Sequence, residues 1–336
     1  MTVFSTTLGD LVTLAGRRSI RGALLPSFVF CALSAMILVV APGGGNRSLR
    51  SWQVAPWEYK VLVVAGFVLV VLCVAAALNS AQTALIRLAE GYWGAAANRT
   101  LGRLGRSHHQ QLVRRSDDAY THDRYPPISR PHELMPTRLG NILKAAELYP
   151  RLRYGIDTVL VWPRLHPLLP EAFLQTLGAA RTDLTGFLGS ALLAAVLTLG
   201  GAGYLWVFNG PTPLLLMCLW GGGLVAWLCY RGALLKAMTY GQHLRVAFDL
   251  YRGHLLEALG HPVADSEEER AHWERLCLFW HRGIPLQPIT MPDRPASPPA
   301  APAVPDPPFG LAPSLSQLTV ALLTIMGIAG ALVGTG

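Results

Sequence analysis

LTGFLGSALLAAVLTLGGAGYLWVFNGPTPLLLMCLWGGGLVAWLCY, residues 184–230, is the stretch whose reading decides the fold. Two apolar runs, Leu184 to Phe208 and Pro213 to Tyr230, flank the uncharged turn Asn209-Gly210-Pro211-Thr212, and neither run contains Lys, Arg, Asp or Glu. As helices rising about 1.5 Å per residue, runs of this length match a hydrocarbon core about 30 Å thick. The stretch therefore reads as a transmembrane helical hairpin. Its turn lacks a cation while Arg181 and Arg231 stand at the far ends, so the positive-inside rule puts the turn outside and both ends in the cytoplasm. Glycines 200, 201, 203, 221, 222 and 223 suit close helix approach, against the plainer reading that glycine is simply tolerated in a membrane helix.

Outward from the hairpin, two further apolar runs lie upstream: Ala23 to Ala41, preceded by Arg17, Arg18 and Arg21, and Val61 to Leu78. The arginines place the N-terminus in the cytoplasm. A cleaved signal peptide shares this basic start and apolar core, but the run is long and no small-x-small cleavage site follows. The loop Pro42 to Tyr59, with few charges and interfacial Trp52 and Trp57, belongs outside. Composition agrees with membrane insertion: 336 residues are 51% apolar and only 14% charged, with a mean hydropathy of +0.35. The net charge of +8 reflects arginines beside the apolar runs, which favours anionic lipid headgroups over nucleic acid as their partner. Of the five cysteines, Cys31, Cys73, Cys218 and Cys229 sit inside apolar runs and Cys277 stands alone, so a disulfide framework is not expected.

Between the two pairs of spans lies MPTRLGNILKAAELYPRLRYGIDTVLVWPRLHPLLP, residues 135–170. Thr137 is a natural N-cap for a helix carrying Leu139, Ile142, Leu143 and Ala146, and Pro150 is expected to close it near Tyr149. The run Tyr154 to Trp162 fits a strand or a helical turn, with helix preferred. Pro163, Pro167 and Pro170 then break the backbone before Glu171 opens the next helix. Arg138, Asn141, Asp157, Trp162 and Arg164 are the candidate ligand or partner-binding residues, because polar groups on a proline-bounded segment can converge; capping and structural ion pairs are the plainer role for them.

Pro136-Thr137-Arg138-Leu139-Gly140-Asn141, Ala145-Ala146-Glu147, Tyr154-Gly155-Ile156-Asp157 and Trp162-Pro163-Arg164-Leu165 resemble a segment of uncharacterised multi-pass membrane proteins from actinobacteria and other bacteria. The order of two spans, loop, two spans and a basic helix with Ala247-Phe248-Asp249-Leu250-Tyr251-Arg252 is similar too. The resemblance implies a bacterial inner-membrane setting and brings no activity, cofactor or catalytic residue.

After the second span, Ala81, Ala84, Leu85, Leu88 and Tyr92 keep a stripe that carries the helix into water. From Ala95 to Arg130 the periodicity dissolves, and a solvated loop is expected. His108, His109, Asp117, Asp118, His122 and Asp123 have metal-binding chemistry there, but their spacing matches no metal motif, so no metal site is assigned. After the fourth span Leu234, Met238, Gly241, Leu244, Phe248, Tyr251, Leu255 and Leu259 form a packing stripe, with Arg245 and Asp249 spaced for an i,i+4 pair. Ser266 caps a further short helix.

The chain thus divides into a cytoplasmic N-terminus (1–22), a first transmembrane pair (23–79), a cytoplasmic helical module (80–183), a second pair (184–231) and amphipathic helices (232–282). A proline-rich linker (283–313) and a C-terminal hydrophobic helix (314–336) follow, the latter with Gly330 and Gly334 spaced for helix pairing. The expected fold is all-α: a polytopic membrane protein with four core spans, cytoplasmic extensions and a fifth hydrophobic helix. Neither a catalytic constellation nor a cofactor motif is present. A non-enzymatic scaffold or sensor is therefore expected, with a channel or transporter, or a surface enzyme using 135–170, as the competing classes. Its expected partners are the bilayer, anionic headgroups, a cytoplasmic protein and a second copy of the chain.

Overall fold

Residues 18–40, 45–115, 123–127, 129–261 and 266–284 are described by a computed structural model. Among them every regular element is helical: α1 (Arg18–Val40), α2 (Gly45–Val54), α3 (Trp57–Ser80), α4 (Gln82–Glu90), α5 (Ala95–Arg115), α6 (Arg138–Tyr154), α7 (Thr158–Leu165), α8 (Glu171–Val207), α9 (Thr212–Ala258) and α10 (Ser266–Arg282). Short 3-10 turns occupy Pro131–Glu133 and His166–Leu168. α1, α3, α8 and α9 are long and apolar enough to cross a membrane. The C-terminal hydrophobic run, and the proline-rich linker beyond Ile284, lie outside the described residues.

α8 packs along α9 and against α1, which in turn packs on α3. Phe30 and Cys31 of α1, Val71, Val74 and Leu78 of α3 and Leu193 of α8 form one core between them. The outer faces stay apolar: Leu62, Leu69, Leu199, Trp206, Met217 and Trp220 are all exposed. Such an apolar exterior on helices of this length fits a membrane protein. The glycines of the hairpin divide in role. A Cβ on Gly222 would lie 2.2 Å from Thr198 Oγ1 and one on Gly201 3.0 Å from Cys218 Sγ, whereas Gly203, Gly221 and Gly223 face open space. Close helix contact thus depends on two of them.

The two hairpin helices are much longer than a bilayer requires. α8 has 37 residues and α9 has 47, about 55 and 70 Å of helix against a core of about 30 Å. Their excess length builds a helical head. Of the expected stripe on α9, Leu234, Gly241, Phe248 and Leu255 are buried there, Met238, Leu244 and Tyr251 are half-buried, and Leu259 at its end is exposed; Ala237, outside that stripe, is buried with them. α6 packs on α9, and α7 and α10 close over them around Ile156, Val161, Leu165, Phe248, Leu255, Leu256, Trp273 and Leu276. A second cluster, joining Leu139 and Ile142 of α6 to Leu184, Leu188, Ala233, Leu234 and Ala237, ties the head to the spans.

Four local expectations are corrected. Pro150 does not end α6, which runs on to Tyr154. The stop is Gly155 at φ 74°, whose N–H donates to Arg151 O at 3.2 Å while Ile156 N–H returns to Pro150 O at 3.3 Å, satisfying the last carbonyls. Pro163 likewise sits inside α7. The expected loop from Ala95 is helix α5 as far as Arg115, and its buried stripe, Gly102, His109 and Val113, contains a single large apolar residue, so it leaves no hydrophobic period to read. The loop Pro42 to Tyr59 similarly contains α2.

Candidate functional site

The head is joined to α4 and α5 through Met135 to Asn141, where backbone meets backbone. α4 ends at Gly91, whose φ of 105° favours glycine, and a Cβ there would lie 2.2 Å from Pro136 Cγ. A Cβ on Gly140 would come within 2.4 Å of Glu90 O, and one on Gly105 within 2.4 Å of Pro136 O. Only hydrogen fits at these contacts. Thr137 caps α6 as its sequence suggests, accepting from Gly140 N–H at 2.9 Å, and its hydroxyl also donates to Ala89 O at 2.7 Å. One threonine thus fixes both the start of α6 and its docking on α4.

The five candidate residues of the 135–170 segment fall at separate stations. Asn141 is fully buried; its amide donates to Met135 O (2.9 Å) and Thr137 O (2.8 Å), and its carbonyl accepts from Met135 N–H (2.9 Å). Asp157 caps α7 by accepting from Val159 N–H and Leu160 N–H at 3.1 and 3.4 Å. Trp162 packs against Phe248 with ring centroids 6.0 Å apart. Arg164 lies 4.1 Å over the Trp280 ring, and Arg138 is exposed on the first turn of α6. No hydrogen bond, ion pair or ring contact joins any two of the five.

The polar side chains that do converge belong to α9. Gln242, Arg245, Asp249 and Arg252 follow at three- and four-residue steps, one stripe along the helix. Arg245 and Asp249 do not pair with each other as their spacing suggests. Asp249 accepts from Tyr154 OH at 2.7 Å and from Tyr149 OH at 3.1 Å to each oxygen, while Arg245 pairs with Asp123. Arg252 lies 4.0 Å over the Tyr154 ring and bonds Glu269 at 2.8 Å, which also accepts from Trp273 Nε1 at 3.2 Å. The network links α6 to α9 through side chains about a hundred residues apart in sequence, and α9 to α10 through Arg252 and Glu269. Burial and the bond to Asp249 push the Tyr154 hydroxyl up to about 12, so it is a fixed donor at neutral pH. Beside the network, Arg124, Ile142, Met238, Gly241, Gln242 and Arg245 line a pocket of about 140 Å³.

Of the residues with metal-binding chemistry between His108 and Asp123, His108 is exposed, and His109 is buried with Nδ1 3.3 Å from Tyr125 OH. Burial, then His108 and Arg138, bring the His109 imidazole down to about 4, so it is neutral in the folded protein. Asp117, Asp118 and His122 lie outside the described residues.

Glu90, at the end of α4, is raised to about 7, mainly by burial and next by Glu147, with Arg87 and Lys144 opposing. Because the folded state holds the Glu90 proton more tightly than the unfolded chain does, its contribution to stability is full near pH 4.5 and is lost as pH rises towards 7. Glu90→Gln should therefore flatten the pH dependence of detergent unfolding between about pH 5 and 7 and stabilise the protein at pH 8. An unchanged slope would show that Glu90 titrates normally.

No protein-family model, curated protein or solved structure matches the chain.

Proposed function

We propose that this chain is a non-enzymatic scaffold or sensor of a bacterial inner membrane, presenting its helical head in the cytoplasm to a partner protein. The observation that carries this reading is the continuity of α8 and α9, which pass from apolar span to polar head with no break in the helix. The polar groups of the head support it, since Asp249 and Glu269 hold helices together while Asn141 and Asp157 brace helix starts. The resemblance of the 135–170 segment to bacterial multi-pass proteins supplies the setting. Native-membrane purification in mild detergent is the test: a stoichiometric protein partner, released when Leu235 and Leu250 on the exposed face of α9 are changed to glutamate, is expected. A protein that purifies alone and moves ions or a solute in liposomes would replace the scaffold by a channel or transporter.

The orientation is part of the proposal: the N-terminus, 80–183 and 231–316 lie in the cytoplasm and the Asn209 turn outside. In a cysteine-free background, Arg115→Cys should resist a membrane-impermeant thiol reagent in intact cells, whereas Thr212→Cys should label. The reverse pattern would invert the topology.

A further inference from the structure

Arg245 of α9 is held on two sides and still has a donor to offer. Its Nη1 pairs with the Asp123 carboxylate, its Nη2 donates to Asp123 O at 3.2 Å, and its guanidinium lies 5.5 Å over the Tyr149 ring. The Nε is buried and makes no hydrogen bond among the described residues. A buried donor on a charged group is costly to leave without an acceptor, and an oxyanion is its strongest complement.

There is room for one. Arg245 lines the pocket of about 140 Å³ between α6, α9 and residues 123–127, a segment that Tyr125 ties to His109 of α5. One wall is apolar, built from Ile142, Met238 and Gly241, and the other carries Asp123, Arg124, Gln242 and Arg245. The charges do not cancel. Asp123 is taken by Arg245, whereas Arg124 has no hydrogen bond or ion pair among the described residues, and Gln242 adds a neutral amide donor. A net positive charge facing an apolar wall selects an anion with a carbon skeleton over a cation or a neutral polar guest. An apolar cavity of about 150 Å³ holds a benzene-sized molecule, so the guest here has about six heavy atoms.

We propose that this pocket binds a small soluble oxyanion, a carboxylate or phosphate with a short carbon skeleton, held by Arg124, Gln242 and Arg245 and packed on Ile142 and Met238. Depth along α9 separates it from a lipid headgroup. With Arg231 at the end of the span, as in the orientation above, Met238 and Arg245 stand about 10 and 21 Å further on, past a headgroup layer about 5–8 Å thick. The guest would fasten residues 123–127 to α9. Its binding is measured without any protein partner, so the site stands or falls apart from the scaffold reading.

Saturation-transfer NMR on the full chain in detergent at low salt, titrated with sodium butyrate, tests this. Saturable binding is expected, with the neutral isostere butyramide at least about tenfold weaker. Arg124→Gln and Gln242→Glu change exposed side chains and leave the fold intact, and each should weaken butyrate at least about fivefold. Arg245→Lys keeps the charge but removes Nε–H, and a similar loss is expected. No saturable binding of butyrate or inorganic phosphate would overturn the site, as would equal binding of butyrate and butyramide, or butyrate binding unchanged in both Arg124→Gln and Gln242→Glu. Nanodiscs distinguish the source of the anion: equal butyrate binding in phosphatidylglycerol and phosphatidylcholine discs is expected. Binding lost only in phosphatidylglycerol would give the pocket to a lipid headgroup and overturn the soluble ligand.

Discussion

Trp273→Ala should lower the stability of the head by about 3–5 kcal/mol, the cost of deleting a large buried aromatic and leaving its cavity. Trp273 is fully buried among Ile156, Val161, Leu165, Phe248 and Leu256. Its loss also removes a donor from Glu269, the carboxylate that holds Arg252. The damage should be local. Hydrogen exchange in detergent is expected to accelerate across α7 and α10 while α1, α3 and the apolar halves of α8 and α9 keep their protection. Equal acceleration in the spans would mean that head and membrane bundle unfold as one cooperative unit.

The second large effect is expected at Asn141. Asn141→Leu keeps the branched shape but leaves Met135 N–H and Met135 O without the side chain that now satisfies them, while Thr137 O keeps the Asn141 backbone N–H at 3.1 Å. Unpaired buried groups of this kind cost about 1–3 kcal/mol each, so a total of about 3 kcal/mol is expected after partial relaxation. Arg138→Ala, three residues away and exposed, should change stability by less than about 0.5 kcal/mol. Chemical unfolding in detergent distinguishes the two. A neutral Asn141→Leu would show that the Met135 turn holds without its amide.

Much of the fold was legible because long apolar runs and helical stripes are local signals. The four span candidates, the Thr137 cap and the α9 stripe from Leu234 to Leu255 could be read from neighbours within a few residues. α5 could not, since its buried face is Gly102, His109 and Val113 rather than a row of leucines. Nor could the end of α6, where a proline looked like the stop and the left-handed Gly155 supplies it. The polar network was illegible for a different reason. Asp249 has an arginine at i−4, yet two tyrosines from a distant helix take its oxygens, a pairing decided by tertiary packing. The Gly91, Gly105 and Gly140 contacts left a weaker trace: glycine inside or ending a helical pattern signals close approach, but not the partner.

The uninterrupted course of α9 makes it a mechanical lever. From Arg231 to Asp249 it extends about 27 Å, so tilting it by about 5° at the Arg231 end would sweep Asp249 through roughly 2.4 Å. That travel exceeds the slack of a hydrogen bond, which weakens well before it is stretched by 1 Å. Tyr149 and Tyr154 must therefore follow Asp249 or let go of it, and a small reorientation of the helix becomes a choice between two grips on α6.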